Sequence, residues 1–561
     1  MALPNQKVID LIKKSGVLDA KAIAKAEAYA VETRSESLVS SFIESGVLTE
    51  DQLGAIIAGY YNVPYISLSK ESITEDIAHI IPDKVARRQK AVAFARDASG
   101  VKVALNDPTN KTVLAMVTRK TGQKVSAYYA NEGEIEGIIQ LYEKALQRTI
   151  DELLQEYIKQ ATLYKGDLPI IKVVDELINA SYHDRASDIH IEPEEKTSLI
   201  RFRIDGVLQD VLRVPREVHE RIISRIKVLS NLRTDEHLSA QDGKMTARLE
   251  EENLDIRVSI IPVTQGEKAV LRLLSSHSRE YTLSDLGMNG PDLQKVTNAF
   301  NKSYGMILST GPTGSGKTTS IYAILKILNT RDKNIMTIED PVEYRIQGAN
   351  QVQVNAKTNL TFANGLRSVL RQDPNVIFVG EIRDSETAAI AVNAALTGHL
   401  VLSTLHTNDA ATAIPRLSDM KVEPFLVAST VNVIIAQRLV RQICSSCKSE
   451  EKMAMTEVVK HFPQSMVEKY FGKTAEITIH KGKGCKICRQ TGYTGRVGLF
   501  EVLDVTKGIR KLISEKADSD VIAQAAIAEG MKTMLDDGLD KVATGITTME
   551  EVIRVTKVES A

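Results

Sequence analysis

Tryptophan is absent from the 561 residues, and 16 Tyr with 10 Phe make the aromatic share only 5%. The cores must then be built from Val, Ile, Leu and Ala, which favours α/β layers over an aromatic-rich binding protein. Cysteine is almost as scarce, with four residues, all between 444 and 488. A secreted disulfide scaffold would spread its cysteines through the chain, whereas two tight pairs point to metal. Long apolar runs are missing too. The best stretch, Phe425 to Ala436, is broken by Ser429, Thr430 and Asn432, well short of the roughly 18 apolar residues needed to span a bilayer, so a soluble protein is expected. The N-terminus, MALPNQKVIDLIKKSG, has no basic region followed by an apolar core and cleavage site, and nothing in it argues for export. Lys+Arg 71 against Asp+Glu 72 leave a net charge of -1. No global field therefore draws the protein onto nucleic acid or acidic lipid, although local basic patches stay open.

The length implies about three or four folding units, and 43% hydrophobic with 25% charged residues is an ordinary globular balance. Within residues 1–65, Ile12-Lys-Lys-Ser-Gly16-Val17-Leu18-Asp19 returns as Ile43-Glu-Ser-Gly46-Val47-Leu48-Thr49. Each copy reads as a helix end, a Gly stop and a new N-cap at Asp19 or Thr49. Short β-like runs follow at Tyr65–Leu68, Ala91–Phe94 and Val101–Leu105, giving an N-terminal domain over 1–145: a helical repeat module, 1–65, and an α/β subdomain. The charged segment around 133–163 predicts a connecting helix, with the linker placed at 146–166. Over 167–275 a helix, Ile171 to Tyr182, precedes strands at Ile189–Ile191, Leu199–Ile204 and Ile256–Ile260, with Asp205-Gly206 as a hairpin turn, so an α+β domain is expected. After a polar linker at 276–284, helices and buried strands alternate to about residue 440, which predicts a largely parallel sheet in a domain running 285–561.

The strand Gly305–Ser309 runs into Gly311-Pro312-Thr313-Gly314-Ser315-Gly316-Lys317-Thr318-Thr319 and then a helical stretch. This is the strand, G-x-x-x-x-G-K-T, helix order of a phosphate-binding loop. Its glycines let backbone amides turn inward around a β-phosphate, Lys317 reaches the β/γ oxygens, and Thr318 can hold Mg²⁺. About sixty residues on, Val376-Ile-Phe-Val-Gly380-Glu381 is a buried strand delivering an acid to the same sheet edge. Between them Ile338-Glu339-Asp340-Pro341-Val342-Glu343 gathers three acids at a strand end, more than Mg²⁺ needs. One is left to polarise an attacking water, the alternative being a solvated acidic loop.

Cys444-Ser-Ser-Cys447 and Cys485-Lys-Ile-Cys488 form two C-x-x-C knuckles. Four thiolates favour Zn²⁺ in a filled, structural site, and redox-active pairs are the alternative.

Taken in order, these elements resemble the secretion-superfamily ATPases, and among them the type IV pilus assembly ATPases and their type II secretion relatives. The resemblance covers residues 165–561 and rests also on Ser187–Pro193, Arg201–Gly206, Gln241–Gly243, Asp255–Ser259, Leu366–Pro374, Gly380–Asp384, Thr397–Thr407 and Gln437–Arg441. Ala240 departs from the Pro usual before Gln-Asp-Gly. The resemblance implies a RecA-like ATPase core preceded by a PAS-like α+β domain, with ATP, Mg²⁺ and Zn²⁺ as cofactors. Glu343 would position or activate the water and Glu381 support Mg²⁺ or the γ-phosphate. His399 and His406 belong to the family's histidine box, His406 being the better γ-phosphate sensor. Arg257 and Arg272 match arginines that reach the nucleotide of an adjacent protomer, with a strand-face salt bridge as the alternative reading of each.

The same resemblance implies a cytoplasmic homohexamer, peripheral at the inner membrane, that drives an inner-membrane platform protein and binds no nucleic acid directly. The tetracysteine element, which retraction ATPases generally lack, points to extension or secretion. The N-terminal repeat resembles a module that binds cyclic di-GMP, but neither copy has that motif's Arg-Leu-Gly start, and docking to the platform is the preferred reading. Pilus assembly is the expected function. The alternatives are a type II secretion ATPase, a RecA-like nucleic-acid motor, which neutral charge and few stacking aromatics disfavour, and a regulator with vestigial ATPase.

Overall fold

The computed structural model describes residues 47–139 except 69, 70, 72, 74, 79, 83, 84, 87, 88, 98 and 99, then 170–274 except 250–252, and 281–556 except 486 and 487. Before residue 47 it describes only 8, 10–12, 14, 18, 22, 23 and 42. The connecting helix expected at 146–166 and most of the first repeat copy lie outside the described residues. Two compact units are found, Met1–Leu273 with Cys485–Gln490, and Leu274–Gly484 with Thr491–Ala561.

In the first unit the expected cap at Thr49 is present. Its hydroxyl accepts from Gln52 N and the Gln52 side chain accepts from Thr49 N, a capping box opening the helix Glu50–Tyr61. Strands β1 (Ala91–Asp97), β2 (Gly100–Leu105) and β3 (Val125–Tyr129) make a small sheet. β1 and β2 pair antiparallel, while β2 and β3 pair parallel through the crossover helix Lys111–Thr121. The β-like run at Tyr65–Leu68 is not a strand. Tyr65 makes a single bridge to Tyr129, while its hydroxyl donates to Asp51 and its ring fills the space at Gly54. Packing against the preceding helix takes the segment off the sheet.

A six-stranded antiparallel sheet follows, built from β4 (Asp188–Pro193), β5 (Thr197–Ile204), β6 (Val207–Pro215), β7 (Gln241–Arg248), β8 (Asn253–Val263) and β9 (Gly266–Leu274) in the order β6-β5-β4-β9-β8-β7. The β5–β6 hairpin turns at Asp205 and Gly206, both at positive φ (50° and 84°), as a two-residue turn of right-handed twist requires. Leu254, Ile256, Val258 and Ile260 of β8, with Ala269, Leu271 and Leu273 of β9, join one core with the helices Ile170–His183 and Arg216–Leu229. Arg257 and Arg272 alternate with these positions and occupy the other face.

The second unit is built on a seven-stranded sheet. Its strands are β10 (Gly305–Thr310), β11 (Ile335–Glu339), β12 (Asn350–Gln353), β13 (Val376–Val379), β14 (Leu400–Leu405), β15 (Val431–Ile443) and β18 (Tyr493–Asp504), ordered β12-β11-β13-β14-β10-β15-β18. The first six are parallel, as the alternating pattern predicts. β18, which lies beyond the alternating stretch, pairs antiparallel with β15 at the edge and leaves the sheet largely parallel. The strands are apolar on both faces because both are covered. Met306, Leu308, Ile377 and Val401 pack into one cluster, and Ile307, Phe378, Leu400 and Leu402 into another on the opposite side with the helices Gly290–Phe300 and Lys317–Leu328. Residues 448–484 loop out as an antiparallel hairpin, β16 (Lys448–Ala454) with β17 (Glu476–Gly482), and helices between. No helix among the described residues is long and apolar enough to cross a membrane.

Candidate active site

Parallel strands align their C-terminal ends at one edge, and here four chemical elements meet there. The phosphate loop follows β10 and opens the helix Lys317–Leu328. Gly311 and Gly316 hold φ of 145° and 89°, and a Cβ on either would lie within 2.8 Å of Gln437 atoms, so only glycine fits. The crown, Pro312, Thr313 and Gly314, is exposed, whereas Ser315 and Lys317 are buried beneath it. Lys317 Nζ donates to Gly311 O (2.7 Å) and Pro312 O (3.0 Å), folding back over the loop. Burial pushes its ammonium below the usual lysine range, and the Glu381 carboxylate opposes that shift. Ser315 Oγ is buried with no hydrogen-bond partner among the described residues. An exposed crown over buried polar groups at a helix N-terminus fits a phosphate chain.

Glu381 follows β13. Gly380 N continues the ladder to Ile338 O (2.8 Å), and Thr404 Oγ1 donates to Gly380 O (2.7 Å), which fixes the turn. The Glu381 carboxylate meets Arg383 Nη2 at 2.6 Å and His406 Nε2 at 3.3 Å. His406 sits just past β14, and the next residue is tied to the phosphate-loop strand: Thr407 N donates to Thr310 Oγ1 (3.0 Å), which donates to Thr407 O (2.9 Å). His406 and Glu381 therefore share the sheet edge that carries the glycine-rich loop. His399 does not. It precedes β14, its O accepting from Gly305 N, and its Nδ1 lies 3.0 Å from Ala394 O, so it is a partnered residue at the opposite end of the sheet.

The acidic cluster after β11 divides into different roles. Glu339 is buried, accepting from Thr337 Oγ1 (2.6 Å), Gln351 Nε2 (3.2 Å) and the Tyr322 hydroxyl. Burial raises its pKa above the usual carboxylate range, and burial raises that of Tyr322, with the Glu339 charge adding to it. Tyr322 also meets Tyr344 edge-on at 4.5 Å, and Gln351 Nε2 donates to Tyr344 O (3.1 Å). Glu339 is thus a buried anchor for the segment that carries exposed Asp340 and half-buried Glu343. The sequence carried no sign of this anchor, since Tyr322 lies on a different element. The Tyr322–Glu339 pair and the Thr310–Thr407 clasp are the positioning groups that motif reading missed.

The four cysteines converge, their Sγ atoms all within 4.8 Å of one another. β15 ends at Ile443 and β18 begins at Tyr493, and these residues are register partners. The first knuckle is thereby brought to the second, and Cys444 N donates to Gly492 O (3.0 Å) while Lys483 N donates to Cys447 O (3.1 Å). Cys485 and Cys488 Sγ are 3.6 Å apart, too far for a disulfide at about 2.05 Å and close to the roughly 3.8 Å edge of a Zn–S tetrahedron. The donor set fits Zn²⁺.

In the other unit, Arg272 Nε meets Asp188 Oδ1 at 3.0 Å across the β4–β9 pair and stays 62% exposed, with Arg203 Nε 3.4 Å from the other Asp188 oxygen. Arg257 is half-buried opposite Lys244.

Residues 164–554 match the family described as type II/IV secretion system protein. The chain belongs to that family. Residues 61–149 match the MshEN domain. The chain is 37% identical over 530 residues to the type IV pilus assembly ATPase PilB of Myxococcus xanthus (strain DK1622), covering 92% of each chain. It is 37% identical over 565 residues to PilB of Pseudomonas aeruginosa, covering 97% of each. Type II secretion system protein E of P. aeruginosa is 46% identical over 400 residues, which cover 70% of this chain and 77% of that protein. The solved structure of the Legionella pneumophila ATPase DotB covers 68% of this chain and 95% of its own, at 21% identity and a TM-score of 0.52, a likeness of fold alone. The expectation of a secretion-superfamily ATPase with a RecA-like α/β core is met. ATP use belongs to the type II/IV secretion family.

Proposed function

We propose that this secretion-family ATPase powers type IV pilus assembly. The observation that carries this reading is coverage: the pilus assembly relatives match 92% and 97% of the chain, N-terminal region included, whereas a type II secretion relative matches 70%. The higher identity of the secretion relative over its shorter span, 46% against 37%, favours pseudopilus secretion as the second reading.

In the proposed mechanism Lys317 and the loop amides hold the β- and γ-phosphates of ATP. Thr318 and Glu381 would hold Mg²⁺, which would supply neutralisation of phosphate charge when bound. Glu343 orients the attacking water and accepts its proton. His406, tied through Glu381 to the same edge, senses the γ-phosphate. Cys444, Cys447, Cys485 and Cys488 hold a structural Zn²⁺. Arg257 and Arg272 act on the nucleotide of an adjacent subunit in a homohexamer, so that each turnover moves neighbouring domains against each other. The domain plan, 1–145, 167–275 and 285–561, follows the family, with the motor cytoplasmic and working on an inner-membrane platform protein. Co-purification from membranes tests the client: a pilin platform protein captured with the chain supports pilus assembly, and a secretion-specific platform in its place overturns it.

A further inference from the structure

The Gln437–Arg441 segment has no assigned role in the site, yet its first residue lies directly under the phosphate loop. Gln437 is fully buried on β15, one position beyond the last β10–β15 pair, Thr310 with Ala436. Its backbone O would be 2.3 Å from a Cβ on Gly311, at the start of the loop, and its Nε2 would be 2.8 Å from a Cβ on Gly316, at the end. Its Oε1 accepts from Ser320 Oγ at 2.6 Å, one turn into the helix that follows. Nε2 is buried with no hydrogen-bond partner among the described residues, as is Ser315 Oγ in the loop above.

We infer that Gln437 is a positioning residue that sets the shape of the phosphate loop. A glycine-rich loop has few side chains with which to hold itself and is conformationally permissive. Its amides must nevertheless converge on one phosphate, so the shape is imposed from outside. Gln437 touches the loop at both ends and is itself oriented by Ser320. Its remaining amide group is the positive end of a fixed dipole, facing the loop from below. Exchanging O and N of the amide would turn a carbonyl toward Gly316 and leave the same geometry, but the polarity matches bound phosphate only with the nitrogen there. An amide side chain offers no base to take a proton from water, so Gln437 acts on phosphate binding in ground and transition state alike.

This inference rests on Gly311–Thr319 being an ATP site, and the experiment separates the two. ADP binding, steady-state ATP hydrolysis and the melting temperature without nucleotide are measured on the full chain, on Gln437→Met, Ser320→Ala, their double variant and Lys317→Ala. Gln437→Met keeps approximately the side-chain volume and removes the amide. The expected result is an ADP Kd and a KM for ATP raised about tenfold in Gln437→Met, with kcat within about twofold. Ser320→Ala should raise both by a smaller factor, and the double variant should be no worse than Gln437→Met, since both act through one contact. Unchanged Kd and KM in Gln437→Met, or a loss of kcat alone, overturns the inference while Lys317→Ala still upholds the ATP site. A weaker Kd matched by an equivalent fall in nucleotide-free melting temperature also overturns it. If Gln437→Met does not fold, Ser320→Ala decides: an unchanged ADP Kd overturns the inference and a raised one supports it. A wild-type chain that binds no nucleotide overturns both.

Discussion

Glu343 and Glu381 stand in different surroundings, and that difference predicts different defects. Glu381 is anchored between Arg383 and His406 at the end of β13, so Glu381→Gln should weaken Mg²⁺-dependent nucleotide binding as well as turnover. Glu343→Gln should leave ATP binding near wild type and lower kcat by about 100-fold or more, within the usual range for losing a positioned base. Equal kcat in Glu343→Gln and wild type would remove it from the water-activating role. Away from the site, Glu551 accepts from Arg441 N (2.8 Å), Arg441 Nη2 (2.7 Å) and Arg554 Nη2 (2.8 Å), although its carboxylate is almost fully buried. Burial alone would raise its pKa, but these donors outweigh it and hold the carboxyl down at about 2. A depressed folded pKa means the contribution is present above the unfolded value near 4.5 and is lost as pH falls toward 2. Glu551→Gln should therefore cost about 3 kcal/mol at neutral pH. The gap between the melting curves of the two proteins should narrow progressively as the pH falls below 4.5 toward 2, and a constant gap would contradict the assignment. Residues whose chemistry is local, such as Lys317 and Thr318, could be read from the sequence because the motif itself places them on the loop. The burial of Glu339 could not, because it depends on Tyr322 and Gln351 from two other elements, and no spacing rule connects them.

Among the elements, the tetracysteine cluster shows what pattern and register each contribute. Two C-x-x-C knuckles predicted one S₄ site with a looped-out insert, and both are present. The means of closure was hidden: β18 returns antiparallel beside β15, pairing Tyr493 with Ile443. Antiparallel pairing over so many residues was illegible because β18 carries the same apolar run a parallel strand would. The purified chain should hold one zinc per subunit by metal analysis. Removal by a chelator, or Cys444→Ser, should lower the melting temperature by several degrees while ADP affinity stays near wild type, because the cluster ends the strands and supplies no group to the phosphate loop. Redox-active pairs predict instead a metal-free protein whose thiols titrate as disulfides on mild oxidation.

For the whole molecule, alternation along β8 and β9 places Arg257 and Arg272 on the face that the helices leave uncovered. Arg272 is paired with Asp188 within its own subunit, and the strand-face ion pair and the proposed intersubunit role are alternative readings of the same exposed guanidinium. Mixed assemblies distinguish them. Neither Lys317→Ala nor Arg272→Ala should turn over alone, and combining them should restore part of the wild-type rate, because some interfaces then pair an intact loop with an intact arginine. No recovery on mixing would confine Arg272 to its own subunit. Whether this ATPase drives pilus growth is decided in the source cell. Deleting the gene and restoring it as wild type or Lys317→Ala, surface pili are counted by electron microscopy alongside an assay of type II secreted protein. Pili should vanish on deletion and return with wild type but not with Lys317→Ala, and secretion should be unaffected throughout. Persisting pili with failed secretion would contradict that role.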